Sequence, residues 1–173
     1  NKLFSISIYE KNTKHLKSKA VNPSTYFFPE RQIYDLLGLF QSSQVIGLFG
    51  ESGTGKSTFA EYGLIPKLKS GFLGIAGRRW NSTTIRPGVS PLENLAAGFV
   101  KLAGQNSKQS LEDEFLLTQK MKSSNDGLKK ISIEHLNAER GVNSLIIIDN
   151  FEDIFKNYHK NNESESSQQS LIN

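Results

Sequence analysis

The sequence predicts an α/β fold, a three-layer α/β/α sandwich around a mostly parallel sheet, which we expect to be incomplete in these 173 residues. Two short apolar runs, residues 45–49 and 145–148, are typical of strands buried on both faces of a parallel sheet. Several segments between them carry apolar residues at helical spacing. Strands that alternate with helices in this way favour parallel pairing.

Residues 1–21 are predicted to be a leader. They contain an alternating stretch at 3–9, to which the sequence assigns no role, and a basic run at 11–19. We interpret the basic run as a solvated segment; contact with nucleic acid or a membrane surface is the alternative. From Pro29 onward a helix is expected, because Pro suits the first turn and apolar residues follow at helical spacing. These apolar residues are Ile33, Leu36, Leu37 and Phe40.

A glycine-rich segment directly follows the first apolar run, which we expect to be a central strand covered on both faces. Its spacing, G-x-x-x-x-G-K-S, is that of a phosphate-binding loop, or Walker A motif. Glycines let successive backbone N–H groups point at phosphate oxygens, Lys56 neutralises the outer phosphates, and the Ser57 hydroxyl ligates Mg²⁺. The residues predicted to bind nucleotide are Gly50, Glu51, Ser52, Gly53, Thr54, Gly55, Lys56, Ser57 and Thr58.

A helix is expected to start at Ser57 and to direct its N-terminus at the phosphates. Pro66 disfavours helix at Ile65, and Gly71 closes the segment. The next stretch, residues 79–85, is β-prone but polar, which fits an edge strand; it ends at Arg86-Pro87-Gly88.

The clearest helix signal is a capping box, Ser90-Pro91-Leu92-Glu93, with Pro at the first helical position. One apolar face continues to Leu102, and Gly104 stops the helix. Two weaker helical patterns follow, at about 111–121 and around Ile131, before Gly141 breaks the chain.

The second apolar run leads straight into Asp149, the pattern of a Walker B element. Such a strand holds a carboxylate at its C-terminal end, where it can meet the Mg²⁺ bound by Ser57. Glu152 and Asp153 follow, and one of them could polarise the attacking water; we favour Glu152. The alternative is that both are solvated acids at the start of a helix, where the helix dipole favours negative charge.

Composition narrows the class of protein. The net charge is +4, and acids accompany the basic residues outside 11–19, so there is no specific nucleic-acid signal. The lack of Cys excludes disulfides and thiolate metal sites and agrees with a cytoplasmic location. No run approaches the ~18 apolar residues of a membrane span. Residues 161–173 are polar and aperiodic, and we expect them to be disordered or a severed connection.

Taken in order, several blocks resemble the STAND-type P-loop NTPases, specifically the novel STAND branch of the AAA+-like superfamily. The resemblance implies a P-loop NTPase domain at 22–160, of which the chain holds the part from Walker A to Walker B. In this superfamily a later strand with a polar sensor residue lies between the strands of those motifs, and the chain ends before it. The blocks are Asn22-Pro23, Tyr26-Phe27-Phe28, Glu30-Arg31-Gln32-Ile33, the Walker A segment, Gly63-Leu64-Ile65-Pro66, Arg86-Pro87-Gly88, Pro91-Leu92, Leu95-Ala96 and residues 145–155.

The resemblance implies an ATP-binding, Mg²⁺-dependent ATP hydrolase that acts as a switch in a signalling or defence protein. Lys56, Asp149 and Glu152 would be catalytic, and Ser57 and Asp149 would bind the metal. It also implies self-association through this domain, with effector or repeat domains elsewhere on the parent chain. Arg86 would lie near the functional face, although a surface Arg beside a turn is the alternative.

Other functions remain to be weighed against this one. A scaffold domain that binds nucleotide without turnover is the main alternative. A small GTPase would have Gly three residues after the metal-binding Asp, but position 152 is Glu. A transporter ATPase would have an LSGGQ-like signature, which the sequence lacks. Aromatic residues 26–28 border the adenine if the resemblance holds, whereas a core cluster explains them equally well.

Overall fold

The protein folds as a parallel sheet with helices packed on both faces. The computed structural model describes residues 2–10, 28–71, 79–103, 110–123, 126–138 and 141–155. Its strands are β1 (Leu3–Glu10), β2 (Val45–Gly50), β3 (Trp80–Ile85) and β4 (Asn143–Ile148). Its helices are α1 (Glu30–Ser42), α2 (Lys56–Thr58), a π-helical stretch (Phe59–Leu64), α3 (Ile65–Lys69), α4 (Pro91–Leu102), α5 (Ser110–Ser123) and α6 (Gly127–Ala138).

The four strands lie in the order β2-β1-β4-β3, and every neighbouring pair is parallel. This confirms the predicted α/β sandwich with a parallel sheet. It also confirms β3 as an edge strand, since within the described chain β3 pairs with β4 alone. The carboxyl ends of all four strands therefore meet along one side of the sheet, where ligands bind in open α/β folds.

Strand β1 occupies the middle of the sheet, a position that its alternating sequence did not reveal. Ser7 of β1 lies opposite Gly47 of β2 on one side and Ile148 of β4 on the other. The resemblance led us to expect a later strand between the strands of the two motifs; in the described part of the chain, β1 lies between them.

The prediction that residues 45–49 form a central strand covered on both faces is wrong. β2 is a strand as predicted, but in the described part of the chain it pairs only with β1 and forms the edge of the sheet. Val45 is 67% exposed and Phe49 77% exposed. The apolar composition of β2 reflects in part the cavity beside Phe49, described below, rather than burial on both faces.

Two apolar cores, one on each face of the sheet, hold the layers together. Successive residues of β4 alternate between them: Leu145 and Ile147 belong to the first core, and Ile146 belongs to the second. Because β4 is buried on both faces, its sequence is a continuous apolar run. The first core joins the sheet to α1, the π-helical stretch and α3; the second joins it to α4, α5 and α6.

The helix after the glycine-rich loop continues further than predicted. Helical structure runs from Lys56 through Pro66 to Lys69, and Gly71, with φ +85°, follows its end as predicted. The expectation that Pro66 disfavours helix at Ile65 was wrong. The preceding stretch is π-helical, with Ile65 N–H bonded to the carbonyl of Ala60, and Pro66 lies in the first turn of α3, a position in which proline is tolerated.

Helix α4 has the predicted start, but the capping box is not formed. The Ser90 side chain makes no capping hydrogen bond. Glu93 instead accepts a hydrogen bond at 2.7 Å from Lys122 on α5, and this bond lowers the pKa of the Glu93 carboxyl. A tertiary ion pair has therefore replaced the local cap.

The remaining predicted elements agree with the structure or fall outside it. Helix α1 buries all four predicted apolar residues, and α5 and α6 lie where the weaker helical patterns were found. Residues 11–27, with the basic run, Tyr26 and Phe27, and residues 156–173 are outside the described ranges. Within those ranges, none of the helices has both the length and the apolarity that a membrane crossing requires.

Two glycines in helices are expected to respond oppositely to substitution by Ala. A Cβ at Gly98 of α4 would lie 2.6 Å from the γ2 methyl of Ile85, so we expect Gly98→Ala to lower the free energy of unfolding by about 1 kcal/mol or more. A Cβ at Gly38 of α1 meets nothing within 4 Å, so Gly38→Ala should raise it by about 0.5–1 kcal/mol. Urea unfolding of the two variants and the wild type measures both changes, and equal effects would contradict the close packing of α4 on β3.

Candidate functional site

The loop between β2 and α2 is built by two glycines in the left-handed region. Gly53 has φ +81° and Gly55 has φ +84°, conformations that residues with a Cβ adopt only at a cost. The Thr54 hydroxyl closes the turn by donating to the carbonyl of Glu51 at 2.9 Å. The loop therefore has the tight curvature that a phosphate-binding backbone requires.

Lys56 holds its ammonium group against the carbonyls at the start of the loop. Its Nζ donates to the carbonyl oxygens of Glu51 at 2.7 Å and Gly50 at 3.2 Å, and to Thr54 Oγ1 at 3.3 Å. These acceptors belong to the loop itself, so the positive charge lies within the turn that the loop makes. This is the place where the charge of a bound phosphate would be neutralised.

Asp149 brings together three segments at the carboxyl edge of the sheet. Its Oδ1 accepts a hydrogen bond from Ser57 Oγ at 2.7 Å. Its Oδ2 accepts from Arg86, at 3.1 Å from Nε and 3.0 Å from a terminal nitrogen. The Asp149 side chain is only 3% exposed, whereas that of Arg86 is 71% exposed. The two predicted metal ligands are therefore in contact, and Arg86 lies at the site rather than on an unrelated surface.

The donor set at this point fits a magnesium ion. Mg²⁺ prefers oxygen ligands and is usually held by one or two carboxylates together with phosphate oxygens and water. Asp149 provides a carboxylate oxygen and Ser57 a hydroxyl oxygen 2.7 Å from it. Their assignment as metal ligands stays a prediction that the geometry permits.

The segment after Asp149 turns sharply over the end of β1. Asn150 has φ +54°, and the Phe151 N–H donates to the carbonyl of Ile8 at 2.9 Å. Glu152 is buried, with 5% exposure, and Asp153 is half-buried. The alternative that both are solvated acids is thus wrong for Glu152, while its role as the base stays a prediction.

A cavity of about 690 Å³ opens beside the glycine-rich loop. This volume is within the usual range for small-molecule sites. Apolar side chains from α1, β2 and the π-helical stretch form one part of its wall, and residues of the loop and α2 form another. The lining residues are Phe28, Pro29, Gln32, Asp35, Leu36, Leu39, Leu48, Phe49, Gly53, Thr54, Gly55, Lys56, Thr58 and Phe59.

Several of these lining residues were not identified from the sequence. Gln32 and Asp35 are three residues apart on the exposed face of α1, where polar residues are ordinary, so only their position beside a predicted loop could have drawn attention to them. Phe49 immediately precedes the loop. Its exposed ring pointed to a binding site only once the structure showed that β2 is an edge strand. Phe28 does line the cavity; its ring centre is 6.0 Å from that of Phe59.

A protein-family model matches most of the chain. No curated protein and no solved structure matches the chain. The family model described as Novel STAND NTPase 1 matches residues 18–173, which include the glycine-rich loop, Arg86 and Asp149, whereas β1 precedes the matched part. The chain is thus a nucleotide-binding NTPase module, and it belongs to the novel STAND NTPase 1 family.

Proposed function

We propose that this domain binds ATP together with Mg²⁺ and hydrolyses it, and that it is the switch module of a STAND-type signalling or defence protein. The observation that carries the proposal is the 2.7 Å hydrogen bond between Ser57 and Asp149. These residues come from two motifs that are separate in sequence, and a metal site for nucleotide hydrolysis needs both in one place.

The phosphates would be bound by the loop and Lys56. Backbone N–H groups of the loop and of the first helical turn would bind phosphate oxygens, and the helix dipole would add to the attraction. Lys56 would exchange its hydrogen bonds to loop carbonyls for stronger, charge-assisted bonds to phosphate oxygens.

The base and sugar would occupy the adjoining cavity. Its aromatic lining, which includes Phe28, Phe49 and Phe59, offers rings that can contact a planar base. Gln32 and Asp35 supply the few polar groups that such a pocket uses to orient its ligand. The assignment to adenine rests on the family.

Ser57 and Asp149 would hold the magnesium ion, which when bound neutralises charge that develops on the β- and γ-phosphates. Asp149 is suited to this role because β4 is buried on both faces and fixes the position of its carboxylate. Glu152 would accept the proton of the attacking water, since its carboxylate is buried close behind Asp149 in sequence and removed from bulk solvent.

We also propose that the domain self-associates and that effector or repeat domains lie elsewhere on the parent chain, as the resemblance implies. We further propose a cytoplasmic location, with which the lack of Cys agrees. A module of this family need not act alone, since a nucleotide-dependent switch communicates by favouring one assembly over another.

Replacing Lys56 by Ala should abolish nucleotide binding. The substitution removes the charge that neutralises the outer phosphates, and charge-assisted bonds to phosphate contribute about 1.5–3 kcal/mol each. Titration calorimetry with Mg²⁺ and a non-hydrolysable ATP analogue should show at least a tenfold loss of affinity, as about 1.4 kcal/mol corresponds to a factor of ten.

The control for this experiment is Lys69→Ala, which removes an equal charge from an exposed position at the end of α3. It should bind the analogue as the wild type does. Equal affinities of the wild type and Lys56→Ala would refute nucleotide binding by this loop. Competition with a GTP analogue in the same titration establishes whether adenine is preferred.

Replacing Glu152 by Gln should preserve binding and stop turnover. Gln keeps the size of the buried side chain but cannot accept the proton, and general-base catalysis typically contributes at least about 100-fold. Steady-state phosphate release measures the effect, with Asp153→Asn as the matched control. If Glu152→Gln releases phosphate at the wild-type rate, the base is elsewhere. Binding without release in the wild type would favour the scaffold function.

A further inference from the structure

Arg86 and Asp149 form an ion pair whose two members have very different surroundings. Arg86 donates to Asp149 Oδ2 through Nε at 3.1 Å and through a terminal nitrogen at 3.0 Å. The Asp149 side chain is almost completely buried, while most of the Arg86 side chain is exposed. Both carboxylate oxygens are engaged, because Oδ1 accepts from Ser57.

This asymmetry determines which partner depends on the other. A buried carboxylate needs a compensating charge, because a buried charge without a partner is strongly destabilising. An exposed guanidinium is already hydrated and loses little when it leaves the pair. Asp149 therefore requires a cation beside it, whereas Arg86 can leave provided that another cation replaces it.

The backbone at Arg86 permits this exchange, since the side chain can move while the main chain stays in place. Pro87 is buried directly after it, and the carbonyl of Pro87 accepts a hydrogen bond from Asn94 Nδ2 of α4 at 2.9 Å. On the other side, the carbonyl of Ile85 accepts a bond from the Asp149 N–H at 2.8 Å. The main chain is thus held on both sides of a side chain that is itself exposed.

We propose that Arg86 is an exchangeable counter-charge for Asp149: the guanidinium stays paired with the buried carboxylate until a divalent cation binds there, and the Arg86 side chain then moves into solvent. This inference rests on the proposed function, since the cation would be the one that accompanies ATP. The domain would therefore bind nucleotide in two ways: with Asp149 neutralised by Arg86, or with Asp149 neutralised by the metal.

The exchange makes a specific prediction about metal dependence. Without metal, Arg86 shields the phosphates from the Asp149 carboxylate, so Arg86→Gln should weaken binding of the ATP analogue. With Mg²⁺, the variant has no Arg86 to compete with the metal for Asp149, so binding of the ATP analogue together with the metal should persist. We therefore expect the ratio of the dissociation constant in EDTA to that in Mg²⁺ to be about tenfold larger in Arg86→Gln than in the wild type, the factor for one charge-assisted hydrogen bond.

Calorimetric titration of each variant under both conditions gives this ratio directly. Lys101→Gln is the matched control, because it removes one exposed positive charge from α4, and its ratio should equal that of the wild type. Arg86→Lys keeps the charge but lacks the two-nitrogen contact, so its ratio should lie between the other two. An unchanged ratio in a folded Arg86→Gln variant would overturn the proposal, since a merely structural role weakens binding equally under both conditions.

Two further measurements keep the test decisive. If Arg86→Gln does not fold, as judged by circular dichroism, the ratio for Arg86→Lys carries the test, and a wild-type value overturns the exchange. If the wild type binds no nucleotide under either condition, the proposed function is wrong. Thermal unfolding with Mn²⁺ alone then tests Arg86: greater stabilisation of the variant than of the wild type supports the exchange, and equal or smaller stabilisation refutes it.

Discussion

The carboxylate of Asp149 joins three segments that are distant in the chain, and the candidate site depends on this junction. Ser57, 92 residues away in sequence, donates to one oxygen, and Arg86, 63 residues away, donates to the other. The hydroxyl comes from the start of α2 and the guanidinium follows the end of β3. A carboxylate with so little exposure needs hydrogen bonds and a positive charge beside it. Asp149, at the end of β4, therefore holds both of these segments in place.

The sheet determines how far apart the two halves of the site lie. Neighbouring strands are about 4.8 Å apart, so β2 and β4, with β1 between them, are separated by about 10 Å. The loop after β2 and the turn after β4 must both cross the end of β1 to meet. Each half also contacts β1 directly. Next to the loop, the ring centre of Phe49 lies 5.8 Å from that of Tyr9 in β1; after β4, the Phe151 N–H donates to the carbonyl of Ile8 in β1. A strand outside the family match thus sets the width of the site.

Features that depend on local pattern could be predicted, whereas features that depend on a neighbouring element could not. The glycine-rich loop, the buried run before Asp149 and the amphipathic helices could all be predicted, because spacing and residue type determine them. The alternating stretch at residues 3–9 was given no role, because alternation alone does not specify which strands a segment pairs with. Likewise, Glu93 has a local and a distant partner available, and only the packing of α5 decides between them. Gln32 and Asp35 could not be predicted as site residues, because polar residues are ordinary on an exposed helix face and only the structure shows the cavity beside them.

The central position of β1 also orders events while the chain is synthesised. β1 is synthesised shortly before β2, and the two strands can pair early. The other edge of β1 pairs with β4, which is synthesised much later; the hydrogen bond between Lys2 and Asn143 joins residues 141 positions apart. At about 5–20 residues per second, the ribosome needs roughly 5–20 s to pass from β2 to β4. During that interval an apolar strand edge is open to other chains.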